Sequence, residues 1–240
     1  MCPAWGEPSV NRMSNNPIAL VTGASRGLGR AVAAGLVREG YTLITDARDE
    51  AVLAQAARQD GIALAVPGDV TDPAHREELR AAAEKLGGLN LLVNNAGTLG
   101  AHPLPAMADY PVDELRAAFE VNVLAPVALT QLLLPELRVS GGAVLNITSD
   151  AAVEPYAGWG GYGAAKAALE QASSVLAAEE LAIRVWWVDP GDLRTDMHQQ
   201  AFPGEDISDR PLPDSVVPGF TRLVTERLPS GRYRAQDLVR

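Results

Sequence analysis

The sequence predicts an α/β fold: a doubly wound parallel β-sheet of six or seven strands, with helices on both of its faces. Short apolar runs alternate along the chain with longer alanine-rich stretches of helical composition. The runs are continuously apolar, which is typical of strands buried on both faces of a parallel sheet. Strand–helix units repeated in this way favour one parallel sheet. No linker divides the 240 residues, so we predict a single domain over residues 17–240.

Turn and capping residues indicate where the helices begin and end. Asp72 can cap one helix, with Pro73 in its first position. Gly40, Gly61 and Gly87 follow helical stretches, where a left-handed residue is favoured. These signals predict strands at residues 18–21, 41–45, 63–66, 89–93, 143–147 and 183–188, a short last strand at 231–235, and helices at 28–39, 50–59, 73–86, 112–137 and 161–181.

Two segments lack such patterns. Residues 1–16 are polar and have no apolar core of a signal peptide, so we expect a disordered leader there. We hypothesise that translation starts at Met13 rather than Met1, which the intact mass of the native protein would decide. Residues 197–218 are rich in Pro, Asp and Gly, and they are interpreted either as a substrate loop or as a poorly ordered surface segment.

Composition and charge argue against several classes of partner and site. The net charge of −10, from 20 Lys and Arg against 30 Asp and Glu, argues against nucleic-acid and anionic-membrane partners. Cys2 is the only cysteine, which rules out an internal disulfide and a cysteine-rich metal site. His75, His102 and His198 lack metal-ligand spacing, so we predict no metal site and interpret them as surface or loop histidines. No apolar run reaches the length of a membrane span, and we expect a cytoplasmic protein.

A glycine-rich turn follows the first predicted strand. Gly23, Gly27 and Gly29 lie where this strand must turn into a helix. Missing side chains permit a tight turn and let backbone N–H groups approach a pyrophosphate, while the helix N-terminus adds partial positive charge. The spacing differs from the G-x-G-x-x-G fingerprint. In the first strand-to-helix turn of an α/β chain, the pattern nevertheless favours a dinucleotide phosphate site over a purely structural turn.

Tyr162 and Lys166 form a second candidate site. Residues four apart lie on one face of a helix, so a phenol and an ammonium would share a small volume. The ammonium favours the phenolate, and we therefore expect the tyrosine pKa to fall below its usual value of about 10. Such a group can act as a general acid or base near neutral pH, with nearby Ser149 holding a substrate oxygen. Taken alone, the spacing is also that of an exposed helix face with an ordinary lysine.

Further motifs accompany the turn and the pair, and with them the chain resembles the short-chain dehydrogenase/reductase family in its compact single-domain branch. The similarity extends over residues 18–197 and implies a Rossmann-type sheet and a nicotinamide-dependent oxidoreductase. It is carried, in the order and spacing of the family, by the glycine turn at 22–29, Asp69-Val70, Asn94-Asn-Ala-Gly97, Asn122, Ser149, Tyr162-x-x-x-Lys166 and Pro190-Gly191-x-x-x-Thr195.

The resemblance implies roles for individual residues. Tyr162 would exchange a proton with the substrate oxygen, Lys166 would lower the tyrosine pKa and hold the nicotinamide ribose, and Ser149 would position the oxygen. Asn122, in mid-helix, would hold a water that links the lysine to solvent. The implied cofactor site comprises Gly23, Ser25, Arg26, Gly27, Leu28, Gly29, Arg48, Asp69, Val70, Asn95, Ala96, Gly97, Pro190, Gly191, Leu193 and Thr195, together with Tyr162 and Lys166.

Two cations favour NADP(H) over NAD(H) as the cofactor. Arg26 in the glycine turn and Arg48 after the second strand can bind a ribose 2′-phosphate. By resemblance, relatives that prefer NAD carry an acid at the position of Ala47. Asp46 lies one residue earlier, so a shift of one residue would reverse the preference. Asp69 would accept a hydrogen bond from the adenine amino group, or would only cap the turn after its strand.

Several residues depart from the family pattern. Trp186 and Trp187 lie in the sixth strand, where we expect tighter packing between sheet and helices. Asp150, Asp189 and Asp192 lie close to the implied site in the sequence. They either suit a polar or cationic substrate or belong to solvated loops.

The sequence does not decide between several substrates, assemblies and functions. The implied substrate is a small-molecule carbonyl or secondary alcohol, and the implied assembly is a homodimer or homotetramer. The runner-up function is a non-catalytic dinucleotide-binding sensor on the same fold, which loss of the tyrosine, lysine or serine would favour. An epimerase or dehydratase of the extended branch is a third possibility, but too few residues follow Thr195 for its substrate domain.

Overall fold

A computed structural model of the chain describes residues 16–239. The strands in this part are β1 (Ile18–Val21), β2 (Thr42–Ala47), β3 (Leu64–Pro67), β4 (Leu91–Asn94), β5 (Ala143–Ile147), β6 (Arg184–Asp189) and β7 (Gly231–Arg234). The helices are α1 (Gly27–Arg38), α2 (Glu50–Asp60), α3 (Pro73–Leu86), α4 (Val112–Phe119), α5 (Ala125–Ser140), α6 (Gly160–Glu179), α7 (Asp196–Ala201), α8 (Val217–Thr225) and α9 (Ala235–Leu238).

The strands form one parallel sheet in the order β3-β2-β1-β4-β5-β6-β7. The order reverses between β1 and β4, so the predicted doubly wound sheet is confirmed, with seven strands in the described part. Every strand predicted from the sequence is present within two residues of its predicted bounds, including the short last strand. The predicted leader and the proposed start at Met13 lie outside the described residues, apart from Asn16.

Two apolar layers enclose the sheet. Ala19 and Val21 belong to the layer formed with α1 and α8, whereas Leu20 belongs to the layer formed with α3 and α5. Burying one large aliphatic side chain in this way stabilises the fold by about 1.5–3 kcal/mol. Trp186 is only 1% exposed in the first layer, and its indole N–H donates to the Leu228 carbonyl oxygen at 3.0 Å. The expected packing role of Trp186 is therefore confirmed.

The fourth predicted helix extends over Val112–Ser140 but is not uniform. A π-helical stretch, Glu120–Leu124, separates α4 from α5. By length and composition alone this helix could cross a membrane, yet half of its most apolar window is buried within the fold. Leu129 and Leu133 of α5 are fully buried, so the apolar composition of α5 reflects a core helix.

The prediction of an irregular segment at residues 197–218 is wrong in part. Its beginning is helical, because α7 is capped by Thr195, whose hydroxyl oxygen accepts a hydrogen bond from the His198 N–H at 3.2 Å. Its end is a 3₁₀ turn, Pro213–Val216, that leads into α8. Residues 202–212 remain irregular and connect the two.

Candidate active site

The carboxyl ends of the central strands open into one cleft of about 1480 Å³. In open α/β sheets ligands bind outside this edge, at the point where the strand order reverses. All the site residues predicted from the sequence lie within the described part of the chain, and all but Asn122 line this cleft. Asn122 is fully buried in the π-helical stretch.

Thr22 and Asn95 fasten the glycine turn to the end of β4. The Thr22 hydroxyl oxygen accepts hydrogen bonds from the backbone N–H groups of Asn95 and Ala96, both at 3.0 Å. The Asn95 side-chain amide donates to the Thr22 carbonyl oxygen at 2.8 Å. A Cβ on Gly29 would lie 2.3 Å from Asn95 Nδ2 and 2.5 Å from the carbonyl oxygen of Gly23, which itself has a φ of +65°. The turn therefore requires glycine at both positions.

The N-terminus of α1 is suited to an anion. The side chain of Arg26 does not cap this helix, and its first turn contains no acidic residue. The first backbone N–H groups and the helix dipole are thus directed towards the cleft without a competing carboxylate. Arg26 and Arg48 are exposed cations on the cleft lining, and Arg26 forms a 3.1 Å ion pair with Asp196.

Asp46 is directed into the fold and away from the cleft mouth. Its Oδ1 accepts a 2.7 Å hydrogen bond from the Gly23 N–H, and its Oδ2 lies 3.1 Å from His75 Nε2. Asp46 and His75 are 1% and 4% exposed. Asp46 therefore supports the glycine turn from beneath, and Ala47, the next residue, is half-buried on the cleft lining.

The interpretation of His75 as a surface or loop histidine is wrong, because it packs beneath the turn. Its contact with Asp46 raises the pKa of His75 above its ordinary value. Burial raises the pKa of Asp46, and the hydrogen bonds from His75 and Gly23 oppose that shift. The sequence analysis did not predict this pair, because Asp46 and His75 lie 29 residues apart on different elements.

Tyr162 and Lys166 lie side by side on α6, as their spacing predicts. Lys166 Nζ is 5.6 Å from the centre of the tyrosine ring and donates a 2.8 Å hydrogen bond to the Ile147 carbonyl oxygen at the end of β5. Both side chains are buried, Tyr162 at 8% exposure and Lys166 at 3%. The interpretation of this pair as an exposed helix face is thereby excluded.

Burial controls the protonation of this pair. Removal from water raises the pKa of Tyr162 well above its ordinary value, and the carboxylate of Asp189 raises it further. The same cause lowers the pKa of Lys166 to about 8. The expectation that the tyrosine pKa falls below its usual value is therefore wrong for this structure, because burial of the phenol outweighs the lowering effect of Ser149.

Ser149 lies at the N-terminus of a 3₁₀ turn that follows β5. Its hydroxyl donates to Asp150 Oδ1 at 3.0 Å and accepts from the Ala151 N–H at 3.2 Å. Asp150 Oδ2 accepts a 3.0 Å hydrogen bond from the Tyr156 hydroxyl. Asp150 thus holds the serine hydroxyl directly, a role that the sequence did not reveal.

Asn122 is fixed by the chain segment that follows β4. Its Oδ1 accepts from the Thr98 N–H at 3.1 Å, and its Nδ2 donates to the Thr98 carbonyl oxygen at 2.8 Å. Gly97 lies between Asn122 and Lys166, since a Cβ there would be 3.0 Å from Asn122 Oδ1 and 3.8 Å from Lys166 Nζ. The side chain of Asn122 is therefore held by the segment that follows β4, and each of its two polar atoms keeps capacity for one further hydrogen bond.

Other predicted cofactor residues have structural partners of their own. Asp69 Oδ1 accepts from the Thr71 N–H at 2.9 Å and from its hydroxyl at 2.8 Å, so this aspartate stabilises the turn after β3. Asp189, at the end of β6, accepts a 2.8 Å hydrogen bond from the Gly191 N–H. Val70 and Leu193 are buried against the cleft.

An aromatic wall packs against Tyr162 on the lining of the cleft. The Trp159 ring meets Tyr162 edge-on at 5.8 Å and lies 5.9 Å from Phe202. His198 of α7 lies 4.9 Å from Phe202, and Met197 packs against the same cluster. This wall is built from α7, from Phe202 directly after it, and from the start of α6. Phe202 lies within the segment 197–218, one interpretation of which was a substrate loop, but the contact of Trp159 and Phe202 near Tyr162 arises only in the folded chain.

Comparison with known proteins identifies similar sequences and structures. The family model for short chain dehydrogenase matches residues 17–206. Sepiapterin reductase of Meriones unguiculatus is 37% identical over 201 residues, 77% of each chain. A rhamnolipids biosynthesis 3-oxoacyl-[acyl-carrier-protein] reductase of Pseudomonas aeruginosa is 39% identical over 177 residues, covering 68% of this chain and 66% of the relative. A short chain dehydrogenase from Shigella flexneri, solved as a complex with NADP, superposes with a TM-score of 0.84 at 32% identity, over 92% of this chain and 97% of the other.

Proposed function

The chain is an oxidoreductase of the short-chain dehydrogenase/reductase family, and we propose that it transfers hydride between NADP(H) and a small-molecule carbonyl or secondary alcohol. The observation that carries this proposal is that Ser149, Tyr162 and Lys166 line the same cleft as the glycine turn. A proton-transfer centre and a phosphate cradle in one cleft are what a hydride transfer to or from an oxygen-bearing carbon requires.

The glycine turn fits a dinucleotide. Gly29 leaves no room for a Cβ, and the helix N-terminus behind it lacks a side-chain cap. We propose that Arg26 and Arg48 bind the ribose 2′-phosphate, which favours NADP(H) over NAD(H). The orientation of Asp46 supports this preference, because its carboxylate is committed to Gly23 and His75 and cannot reach a ribose at the rim. The NADP complex of the Shigella flexneri relative is consistent with it.

Tyr162, Ser149 and Lys166 would each have a separate role in the proton transfer that accompanies the hydride. Bound nicotinamide would supply or accept the hydride. Tyr162 exchanges the proton with the substrate oxygen, a contribution worth roughly 10²–10⁴ in rate. Ser149 positions that oxygen, and its hydroxyl must rotate away from Asp150 to donate to it. Lys166 uses one of its three N–H donors on Ile147, so its other donors are available for a ribose hydroxyl and a relay water.

The aromatic wall favours a substrate with a flat or apolar body. Trp159 and Phe202 would contact that body while Tyr162 and Ser149 address its carbonyl. We therefore propose that sepiapterin and 3-oxoacyl thioesters, the substrate types in the names of two relatives, head a panel of small carbonyl compounds.

Turnover on this panel tests the function. The purified protein is incubated with NADPH and each carbonyl, and with NADP⁺ and each corresponding alcohol, while nicotinamide absorbance is followed. We expect turnover with at least one compound and its loss in Tyr162→Phe, which removes only the hydroxyl. Turnover retained by Tyr162→Phe would contradict the role of this residue.

The runner-up function, a non-catalytic dinucleotide sensor, differs in one measurable respect. A sensor would bind NADPH but turn over no compound of the panel. Titration of NADPH and NADH by calorimetry separates the cofactor preference from turnover, and tighter binding of NADH would refute the NADP(H) assignment. We also propose a cytoplasmic location and a homodimer or homotetramer, which cell fractionation and light scattering would test.

A further inference from the structure

Arg232 of β7 connects four elements around the serine of the site. Its Nε donates to Glu170 Oε1 of α6 at 2.9 Å, and its Nη2 donates to the Ser149 carbonyl oxygen at 3.2 Å. The same Nη2 lies 3.8 Å from the buried carboxylate of Asp189 on β6. The side chains of Arg232 and Glu170 are 27% and 13% exposed, so the contact is largely shielded from water.

Glu170 also binds the residue that precedes Ser149. Its Oε1 also accepts a 2.7 Å hydrogen bond from the hydroxyl of Thr148, the residue before Ser149. Glu170 lies on the helix that carries Tyr162 and Lys166, about two turns beyond the tyrosine and one turn beyond the lysine. The backbone that presents the serine is thus tied to the helix that presents the tyrosine through one guanidinium and one carboxylate.

We propose that Arg232 is a positioning residue for Ser149. The Ser149 carbonyl oxygen accepts from Arg232 and, at 3.2 Å, from the Ala152 N–H that closes the 3₁₀ turn. Arg232 therefore fixes the peptide that sets the direction of the serine side chain. The planar guanidinium can satisfy Glu170 and this carbonyl at once, which a lysine ammonium on a flexible stem does less well. This inference rests on the proposed role of Ser149 in catalysis.

Arg234 provides a matched control on the same strand. Its Nε lies 3.9 Å from Asp189, almost as close as Arg232, but its side chain is 57% exposed. Among the described hydrogen bonds it has none to Ser149 or Glu170, in contrast to Arg232. Arg234→Gln therefore removes the same charge from the same strand without disturbing the serine.

The test measures steady-state kinetics, NADPH affinity and local hydrogen–deuterium exchange of the full-length variants. We expect Arg232→Gln to lose between about 10-fold and about 100-fold in kcat relative to Arg234→Gln, as small misplacements of reacting groups do. NADPH affinity should stay within about twofold, and amides of residues 148–156 should exchange faster. A kcat for Arg232→Gln within about twofold of that for Arg234→Gln overturns the proposal.

Two further measurements decide the proposal if the first variant does not fold or if no substrate is found. If Arg232→Gln does not fold, Arg232→Lys, which keeps the charge, decides: a loss of about tenfold in kcat supports positioning, and a kcat within about twofold of the unmodified protein overturns it. If the unmodified protein turns over no carbonyl, the proposed function fails, and exchange of residues 148–156 alone decides the role of Arg232. Unchanged exchange in Arg232→Gln then overturns the proposal, and faster exchange supports it.

Discussion

Asparagine in place of Asp46 would test the buried pair beneath the glycine turn. The substitution keeps an oxygen for the 2.7 Å hydrogen bond from Gly23 but removes the charge that faces His75 at 3.1 Å. A hydrogen bond to a charged group contributes about 1.5–3 kcal/mol, and this is the loss we expect in the free energy of unfolding. Asp46→Ala, which leaves both partners unsatisfied, should cost more, about 3–5 kcal/mol.

The pH dependence of this loss identifies its cause. Contact with Asp46 raises the pKa of His75 above its unfolded value of about 6.5. The stabilisation from charged His75 is therefore fully present below that value and is lost as the pH rises through the raised folded pKa. The difference between the unmodified protein and Asp46→Asn should be large near pH 6 and should shrink as the pH rises through the raised pKa of His75.

Urea denaturation followed by tryptophan fluorescence measures this difference across the pH series. Asp72→Asn is the matched control, because it removes one carboxylate from the N-cap of the helix that carries His75, and asparagine caps about as well as aspartate. The control should change the free energy of unfolding by a few tenths of a kcal/mol at every pH. A difference for Asp46→Asn that is constant or grows with pH would refute the charged pair.

Three further outcomes are expected from the site. Tyr162→Phe should lower kcat by at least about 100-fold and leave NADPH affinity unchanged, so turnover within tenfold of the unmodified protein would contradict its role. Arg48→Ala should weaken NADPH binding by about tenfold and leave NADH binding unchanged in calorimetry, whereas the exposed Arg58→Ala should alter neither. Gly29→Ala should lower the free energy of unfolding by about 1–3 kcal/mol and weaken NADPH binding, because its Cβ would lie 2.3 Å from Asn95 Nδ2. Unaltered NADPH binding in Gly29→Ala would show that the turn tolerates a side chain.

Local sequence signals were sufficient to predict those elements whose structure depends mainly on residues within the same segment. β5 has the predicted bounds because all residues of a continuous apolar run can be buried only where the strand lies between two apolar layers. α3 also has its predicted bounds, since Asp72 caps its N-terminus and Gly87 ends it with a φ of +104°. The Tyr162–Lys166 pair was predicted for the same reason, because spacing within a single helix sets its geometry.

Long-range packing explains what the sequence did not reveal. His75 is buried because Gly68, on a different segment, leaves room for its ring: a Cβ there would lie 2.1 Å from His75 Nδ1. The π-helical stretch around Asn122 likewise depends on the partner that its side chain finds at Thr98. No local pattern contains these contacts, so helix propensity alone predicted a uniform helix through Asn122.

The protonation of Tyr162 and Lys166 also depends on the folded chain, and it affects what the pair can do. Spacing places Lys166 near Tyr162 correctly, but only the folded chain removes both from water, which raises the pKa of the phenol and lowers that of the ammonium to about 8. A phenol whose pKa is raised keeps its proton at neutral pH, but it is a weaker acid than one whose pKa lies near the working pH. Proton exchange with a substrate oxygen therefore requires a change that lowers the pKa of Tyr162 again, such as a further positive charge close to the phenol.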